Sequence, residues 1–563
     1  MTRTNINLVT IKNPLNSVQL QTMQRSSNMR HLLRNPSFLQ PLLRPHLRGA
    51  ASRAAALASP KGPEAEEERP PLPFEAVPGP RRWPLLGSLP AMLAHPAFDF
   101  ERLPRLWSSY FKEFGPTFRL RLPGQGDIVY LSQPKDIECL MRATQENPIR
   151  PFLLSLKKVR QQTAFFKKDQ TGIITEHGEE WWRVRRLIQT YSMRPKIVVQ
   201  YLPQMDLVAK EFVERIAKLR DGENELPENF VQELFKWSLE SVCLVTLNRR
   251  MGCLEGRPEG LKIIETSSKM FEAVTDCEYG VHWWKFIPTP SYRNLKASHD
   301  IMLGLAIEAV QHAQETLVTR GDSEGELNLV ESLIGTPGLS FEDVVTHIID
   351  FFLAATDTTS MTFIFTLYNL ARHPHAQAKL QEELDEVLGR DHTAPVTPQQ
   401  LARLSYTKAC VRETLRVFAV AGFVARELHK DLVLDGYHVP KGTYIFASQF
   451  ESGQNEEAFP NPDQFTPERW LRGNRGEEGS GQSAGVGVGV GAGVGVKNQF
   501  ASIPFSVGPR KCIGSRIAQQ EVYVLLARLL QRYNVSYHHT PWDPVFKTLL
   551  FPDQPPKFTV TER

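Results

Sequence analysis

The chain has 563 residues, 41% of them hydrophobic, which is ample for a sizeable core. Its net charge of +4 comes from one end: residues 1–60 hold seven Arg, one Lys and no Asp or Glu, and the remainder has 58 basic against 62 acidic residues. The body of the chain therefore gives no reason to invoke nucleic acid, and six scattered cysteines without a CxxC argue against a disulfide framework or a zinc site and for a reducing compartment.

Residues 1–60 carry Arg25, Arg30, Arg34, Arg44, Arg48 and Arg53 among Leu, Ser and Ala, the composition of a mitochondrial transit peptide. No run of about 20 apolar residues opens the chain, so no N-terminal membrane span is expected. Residues 61–78 form an acidic, proline-rich linker, leading into Val77-Pro-Gly-Pro-Arg81 and Pro84-Leu-Leu-Gly87. Length alone would allow about three or four domains, but no linker divides 79–563, so one large, mainly α domain with small β-sheets is expected. Residues 118–122 and 128–131 flank a glycine turn and predict a hairpin. From Trp181 onward, apolar spacing of three and four predicts helices over 230–247, 302–317, 344–370 and 522–530, with short strands at 432–434 and 444–446. Residues 476–496, dense in Gly and Val, predict a flexible insertion without a phosphate-binding glycine pattern.

Several clusters invite chemistry. Gly178-Glu-Glu-Trp181-Trp182-Arg183-Val-Arg185-Arg186 offers two tryptophan–arginine pairs at i,i+4, Trp181 with Arg185 or Trp182 with Arg186. Inside the 344–370 run stands Ala354-Ala-Thr-Asp357-Thr358-Thr359. An acid beside a hydroxyl among phenylalanines is costly unless both are hydrogen-bonded or functional; Thr358 bonded to its own i−4 carbonyl would be the structural alternative. Glu413-Thr-Leu-Arg416 sets opposite charges on one helix face, with Lys408 and Arg412 one turn apart just before and Pro467-Glu-Arg469-Trp470 following. Phe505-Ser-Val-Gly508-Pro-Arg510-Lys-Cys512-Ile-Gly514 reads F-x-x-G-x-R-x-C-x-G. A thiolate needs donors around it, Gly508 and Gly514 permit close backbone approach, and Arg510 offers a fork of donors for a carboxylate.

In this order, over residues 77–563, these landmarks resemble the cytochromes P450. The resemblance implies the cytochrome P450 fold as a single haem-binding domain, with haem b held by Cys512 as axial thiolate, a ligand that favours O–O cleavage. It implies that Trp181, Arg185, Arg426 (in Val424-Ala-Arg426-Glu) and Arg510 bind the haem and its propionates. Asp357 and Thr358 would sit at a local kink, Thr358 donating a hydrogen bond to bound dioxygen and Asp357 relaying protons; Ala355 stands where the family usually has Gly, narrowing the groove. Glu413, Arg416 and Arg469 would form a structural charge triad.

The leader, Arg194-Pro-Lys196 and Arg249-Arg-Met-Gly-Cys-Leu254 resemble the mitochondrial class. In that class cations at the positions of Lys408 and Arg412 dock an acidic mitochondrial ferredoxin, fed by an NADPH–ferredoxin reductase; a plain solvated basic face is the other reading. The chain has no flavin or iron–sulfur motif of its own, so its electrons come from outside. Pocket walls are expected at Ala355 and Thr359, at 421–424 and from Val281. There Val281-His-Trp283-Trp284-Lys-Phe286-Ile-Pro is similar to the part of mitochondrial members that rests on the inner membrane, with aromatic core packing as the alternative. The resemblance implies hydroxylation of a lipophilic, steroid-like molecule on the matrix side of the inner mitochondrial membrane. In overall texture it is nearest to arthropod ecdysteroid-pathway members. A xenobiotic-oxidising member would share every motif, and a haem-thiolate isomerase or sensor would need no redox partner.

Overall fold

The computed structural model describes residues 70–279, 281–320, 327–471 and 498–563; the arginine-rich leader, most of the linker and the Gly/Val-rich segment lie outside the described residues. Residues Pro71–Arg563 cluster as one compact unit. Helices dominate it and the sheets are small.

The expected hairpin is present. Strand β1 (Thr117–Leu122) pairs antiparallel with β2 (Gly126–Leu131), with Gly124 and Gly126 at positive φ in the turn. Strand β3 (Phe423–Glu427) and a short hairpin, β4 (Leu432–Leu434) with β5 (Tyr437–Val439), precede β6 (Tyr444–Ser448). Together β1, β2, β6 and β3 make a four-stranded sheet in that order, with β6 opposing Ile445 to Arg426 of β3. Four short strands after residue 532 form two further pairs.

The helices that position the site are α1 (Gly178–Met193), α2 (Phe230–Leu247), α3 (Pro258–Glu278), α4 (Pro290–Arg320), α5 (Phe341–Arg372), α6 (Ser405–Val417) and α7 (Ser515–Arg532). Helix α5 begins at a capping box, in which the Ser340 hydroxyl accepts from the Asp343 N–H and the Asp343 carboxylate accepts from the Ser340 N–H. Its residues from Val344 to Leu353 lie in one hydrophobic core and those from Met361 to Ala371 in another. Each buried Phe or Ile there contributes about 1.5–3 kcal/mol. Residues 354–360, between the two cores, are where the interior can open. Among the described residues α5 is the one helix long and apolar enough to cross a membrane, and it is mostly buried in the protein.

Helix α6 carries a buried charge network. Glu413 Oε1 accepts from Arg416 Nη2 at 2.8 Å, Arg469 Nε at 3.0 Å and the Thr466 N–H at 2.9 Å. Its Oε2 accepts from Arg416 Nε at 3.0 Å and Trp470 Nε1 at 2.8 Å. Arg416 also donates to the carbonyls of Gly453, Pro462 and Gln464. Both guanidiniums lie over the ring of Phe459, which packs with Ala458, Ala501 and Trp470. The network thus reaches Ala501, four residues before the cysteine loop begins.

With five donors on one buried carboxylate, Glu413→Gln leaves two guanidiniums without their counter-charge. We expect a loss of roughly 3–5 kcal/mol, read as the shift in urea midpoint. A loss below about 1 kcal/mol would show that the backbone carbonyls alone hold these arginines.

Candidate active site

The loop before α7 folds back on itself. The Cys512 N–H donates to the Phe505 carbonyl at 2.8 Å and the Lys511 N–H to Gly508 at 3.1 Å, with Ser506 and Gly508 at positive φ. Gly508 is required by that φ of 72°. At Gly514 an added Cβ would meet no protein atom within 4 Å, so the expected crowding by backbone is absent and the glycine borders open space. All six cysteines are free thiols, and Cys512 is the exposed one. Yet burial pushes its thiol pKa up, against the Gly514 N–H and the charges of Arg185, Arg150 and Lys511, which pull it down. A thiol that is both accessible and desolvated faces an enclosed space.

That space is ringed by arginines. In α1 it is Trp181 and Arg185 that turn inward; Trp182 is half-buried and Arg186 exposed. Arg185 donates to the Lys511 carbonyl at 2.8 Å, which ties α1 to the cysteine loop. Arg510 lies over Trp181 at 4.1 Å and donates to the carbonyls of Pro148, Ile173 and Glu176, with His177 Nδ1 at 2.8 Å from its Nη2. Arg426, on β3, reaches Ser506 Oγ at 3.4 Å. The Nε atoms of Arg185 and Arg426 are buried without a partner.

Sequence reasoning missed Arg150. Set between Ile149 and Pro151, it belongs to no spaced motif. Its charge nonetheless acts on Arg185, Arg426, Arg510 and His177, and its guanidinium makes no hydrogen bond or ion pair among the described residues. Burial, then mutual repulsion led by Arg150, lowers Arg510 to about 7 and Arg426 to about 9. Arg185 falls to about 10 by burial and Arg150, against the pull of Cys512. Burial and then Arg510 push His177 to about 3. Guanidiniums stay charged in proteins, so these depressions express first desolvation and then mutual repulsion, both of which a nearby anion would offset. Glu176 acts on Arg510 but is itself engaged by Lys157 at 2.8 Å. A thiol, an indole and four under-compensated guanidiniums around one enclosed space suit a flat group carrying two carboxylates, as haem does.

Across α5 the acid and the alcohol diverge. The helix is continuous through 354–360 rather than broken. Ala354 is exposed and Thr358 half-buried, one turn apart on the same face, whereas Asp357 is buried. Thr358 donates its hydroxyl proton to the Ala354 carbonyl at 2.8 Å, and Thr362 and Thr366 repeat the same back-bond. Asp357 Oδ1 and Thr359 Oγ1 are buried without partners, and burial raises the Asp357 pKa to about 7. Thr359 is thus enclosed rather than lining open space.

Lys408 and Arg412 are both half-buried. Lys408 donates to the Ala402 carbonyl at 2.7 Å, Arg412 lies over Trp470 at 4.5 Å, and burial lowers both pKa values. Arg186 and Arg516, which sequence reasoning did not single out for docking, are the exposed cations flanking Arg185 and the start of α7.

A separate, small cavity of about 40 Å³ lies between β1–β2, β6 and the end of α3. Trp107, Tyr130, Phe152, Tyr279 and Phe446 form its walls, and His282 and Lys285 line it as expected of the segment from Val281. That segment divides its aromatics: Trp284 is buried and donates to the Cys277 carbonyl at 2.8 Å, while Trp283, Phe286 and Ile287 are 58%, 76% and 59% exposed. Lys285 ties it to the β1–β2 turn through the Gly124 carbonyl at 2.7 Å. Exposed Leu85 and Leu86 attach to the same hairpin through Ser88, whose N–H donates to the Arg121 carbonyl at 2.7 Å. These exposed apolar residues are thus tied to the β1–β2 hairpin, which also lines the cavity.

A cytochrome P450 family profile matches residues 77–560. Among curated relatives, "Probable cytochrome P450 49a1" of Drosophila melanogaster is 31% identical over 94% of this chain and 90% of its own length. "Cytochrome P450 12b1, mitochondrial" of Drosophila acanthoptera is 31% identical over 83% of this chain and 85% of its own. "Cytochrome P450 302a1, mitochondrial" of Drosophila melanogaster is 30% identical over 86% and 94%.

The buried carboxyl of α5 has a thermodynamic signature. With its pKa raised from the ordinary 3.8 to about 7, folded protein keeps a proton that the unfolded chain has released between those values. Stability therefore falls as pH rises through that window. Asp357→Asn should leave stability unchanged near pH 4 and raise it by up to about 4 kcal/mol at pH 8. Denaturant titration at both values checks this, and equal effects at the two pH values would contradict it.

Proposed function

The chain belongs to the cytochrome P450 family, and as such is a haem monooxygenase; from that premise we propose that it hydroxylates a lipophilic, steroid-like molecule with electrons from a mitochondrial ferredoxin, on the matrix side of the inner membrane. The observation that carries this reading is the exposed apolar set Trp283, Phe286 and Ile287 around Lys285, in the segment that also lines a small aromatic-walled cavity through His282 and Lys285. Aromatic and aliphatic side chains beside a lysine suit a membrane interface, where a lipophilic substrate would be met. Relatives whose names include "mitochondrial" support the compartment and the ferredoxin, as does the acid-free leader. An ecdysteroid remains the narrowest form of the proposal and rests on overall sequence texture.

Haem, when bound, supplies oxygen activation; the side chains supply position, protons and exclusion of water. Arg150, Arg185, Arg426 and Arg510 would hold its carboxylates, Trp181 buttresses Arg510, and Cys512 would supply the thiolate that ligates the iron. Glu413, Arg416 and Arg469 keep the segment behind that loop in place. On α5, Thr358 keeps its proton on the Ala354 carbonyl and must release that bond before its hydroxyl can donate elsewhere. Asp357, protonated below about pH 7, is a proton store one residue away. The methyl of Ala355 narrows the same face.

Electron entry is assigned to Lys408 and Arg412, with exposed Arg186 and Arg516 widening the basic surface. The test is turnover of a sterol and ecdysteroid panel with an acidic ferredoxin, set beside turnover driven by hydrogen peroxide. The double variant K408E/R412E should lose roughly tenfold or more of the ferredoxin-supported rate and little of the peroxide-supported rate, and the wild-type ferredoxin rate should fall as salt rises. Activity with a diflavin reductase but none with ferredoxin would refute the mitochondrial reading. Equal loss in both assays would mark a folding defect, and no loss in either would remove these residues from docking.

A further inference from the structure

Arg510 is seated on one short stretch of chain. Besides the Pro148 carbonyl, its acceptors are the Ile173 carbonyl at 3.0 Å, the Glu176 carbonyl and His177 Nδ1 at 2.8 Å. Residues 171–177 close on themselves. The N–H groups of Thr175 and Glu176 donate to the Gly172 carbonyl at 3.2 and 2.9 Å, and the Glu176 carboxylate accepts from the Thr171 N–H at 3.1 Å and from the Thr171 hydroxyl. A segment cross-linked in this way moves as a unit.

The other side of that unit is held against α5. Arg160, in the short helix Leu154–Gln161, donates through Nη1 to the Thr171 carbonyl at 2.7 Å and through Nη2 to Asp350 Oδ1 at 2.6 Å. Asp350 Oδ2 accepts from the Ile174 N–H at 3.4 Å. Arg160 Nε donates to His299 Nε2 of α4 at 3.3 Å, and burial and then Arg160 keep that imidazole neutral, with its pKa lowered to about 3. Arg160 is 0% and Asp350 3% exposed, so neither charge has water in place of its partner. At Gly172, where φ is 99°, an added Cβ would collide with Thr346 Cγ2 and Arg160 Nη1. The segment therefore meets α5 with no side chain between them, and Asp350 stands one turn before Ala354.

We propose that Arg160 and Asp350 are positioning residues that hold segment 171–177, and through it Arg510, in place for the carboxylates of the bound group, linking that grip to α5. The inference rests on the assignment of Arg510 to those carboxylates. It requires a guanidinium at position 160, because one planar fork has to meet a carbonyl and a carboxylate together. An ion pair that only balanced charge inside the fold would be satisfied by lysine.

The full chain, loaded with haem or with haem dimethyl ester, is mixed with excess apomyoglobin, and the loss of each porphyrin is timed from its Soret band. From wild type the ester should leave at least roughly tenfold faster than haem. Arg160→Lys and Asp350→Asn should each speed haem loss by roughly fivefold or more and ester loss by less than about twofold, so that the two rates converge. Asp206→Asn breaks a different buried pair, with Arg528 at 2.6 Å, and should lower the urea midpoint while leaving the ratio of rates as in wild type. If Asp350→Asn takes up no haem, Arg160→Lys decides, since its buried charges stay balanced. An unchanged ratio in these variants, with convergence in Arg510→Met, overturns the positioning role and leaves Arg510 as a carboxylate ligand. Equal loss of both porphyrins from wild type overturns the Arg510 assignment and the proposal with it. Convergence in Asp206→Asn as well would mark general destabilisation and overturn the proposal.

Discussion

The guanidiniums of Arg150, Arg185, Arg426 and Arg510 repel one another across a desolvated space beside Cys512, and the one acid acting on Arg510, Glu176, is tied to Lys157. Such an arrangement is expensive in isolation, since buried charge without counter-charge is among the largest destabilising terms a fold can carry. The chain tolerates it because three of the four are held by something else as well, while Arg150 has no such tie among the described residues. Arg510 is fixed by three carbonyls and an imidazole, Arg185 by the Lys511 carbonyl, and Arg426 by its strand. The segments carrying these residues, α1, β3, the cysteine loop and the stretch around Arg150, are brought together at one place, and that place requires two carboxylates. Family membership implies haem, a group that would supply them.

The remaining architecture serves that site from two sides. Behind it, Glu413 and its five donors link α6 to the segment that reaches Ala501. In front of it, α5 is anchored at each end in a separate core, so Ala354, Ala355 and Thr358 can face open space without cost to either. Asp357 lies on the buried side. Its carboxyl is enclosed without a partner, a strained position for an acid, and one consistent with a store of protons close to neutral pH.

Much of this was legible before any coordinates. The Glu413–Arg416 pair and the spans of the long helices follow from local spacing, which a helix translates directly into geometry, whereas Arg469's part in the charge set and the role of the F-x-x-G-x-R-x-C-x-G loop came from the family resemblance. The i,i+4 rule left two tryptophan–arginine registers open, and burial of Trp181 over Trp182 resolved them. The β5 strand escaped notice although Asp435-Gly436, both at positive φ, is a strong two-residue hairpin signal. Arg150 was invisible for a different reason. Its significance lies in what it lacks, a counter-ion, and absence of a tertiary partner has no sequence signature. The same limit applies to Thr358 and Asp357, adjacent in sequence but turned to different environments by the 100° step of the helix.

The central claim is that carboxylates are what the arginine cluster requires. Apo-protein titrated with haem and, in parallel, with haem dimethyl ester measures this directly, since the two differ only in whether their carboxylates are free. The account predicts tighter binding of free haem by at least roughly tenfold, with the difference shrinking when Arg150 is replaced by Met. Equal affinity of wild type for the two porphyrins would contradict it.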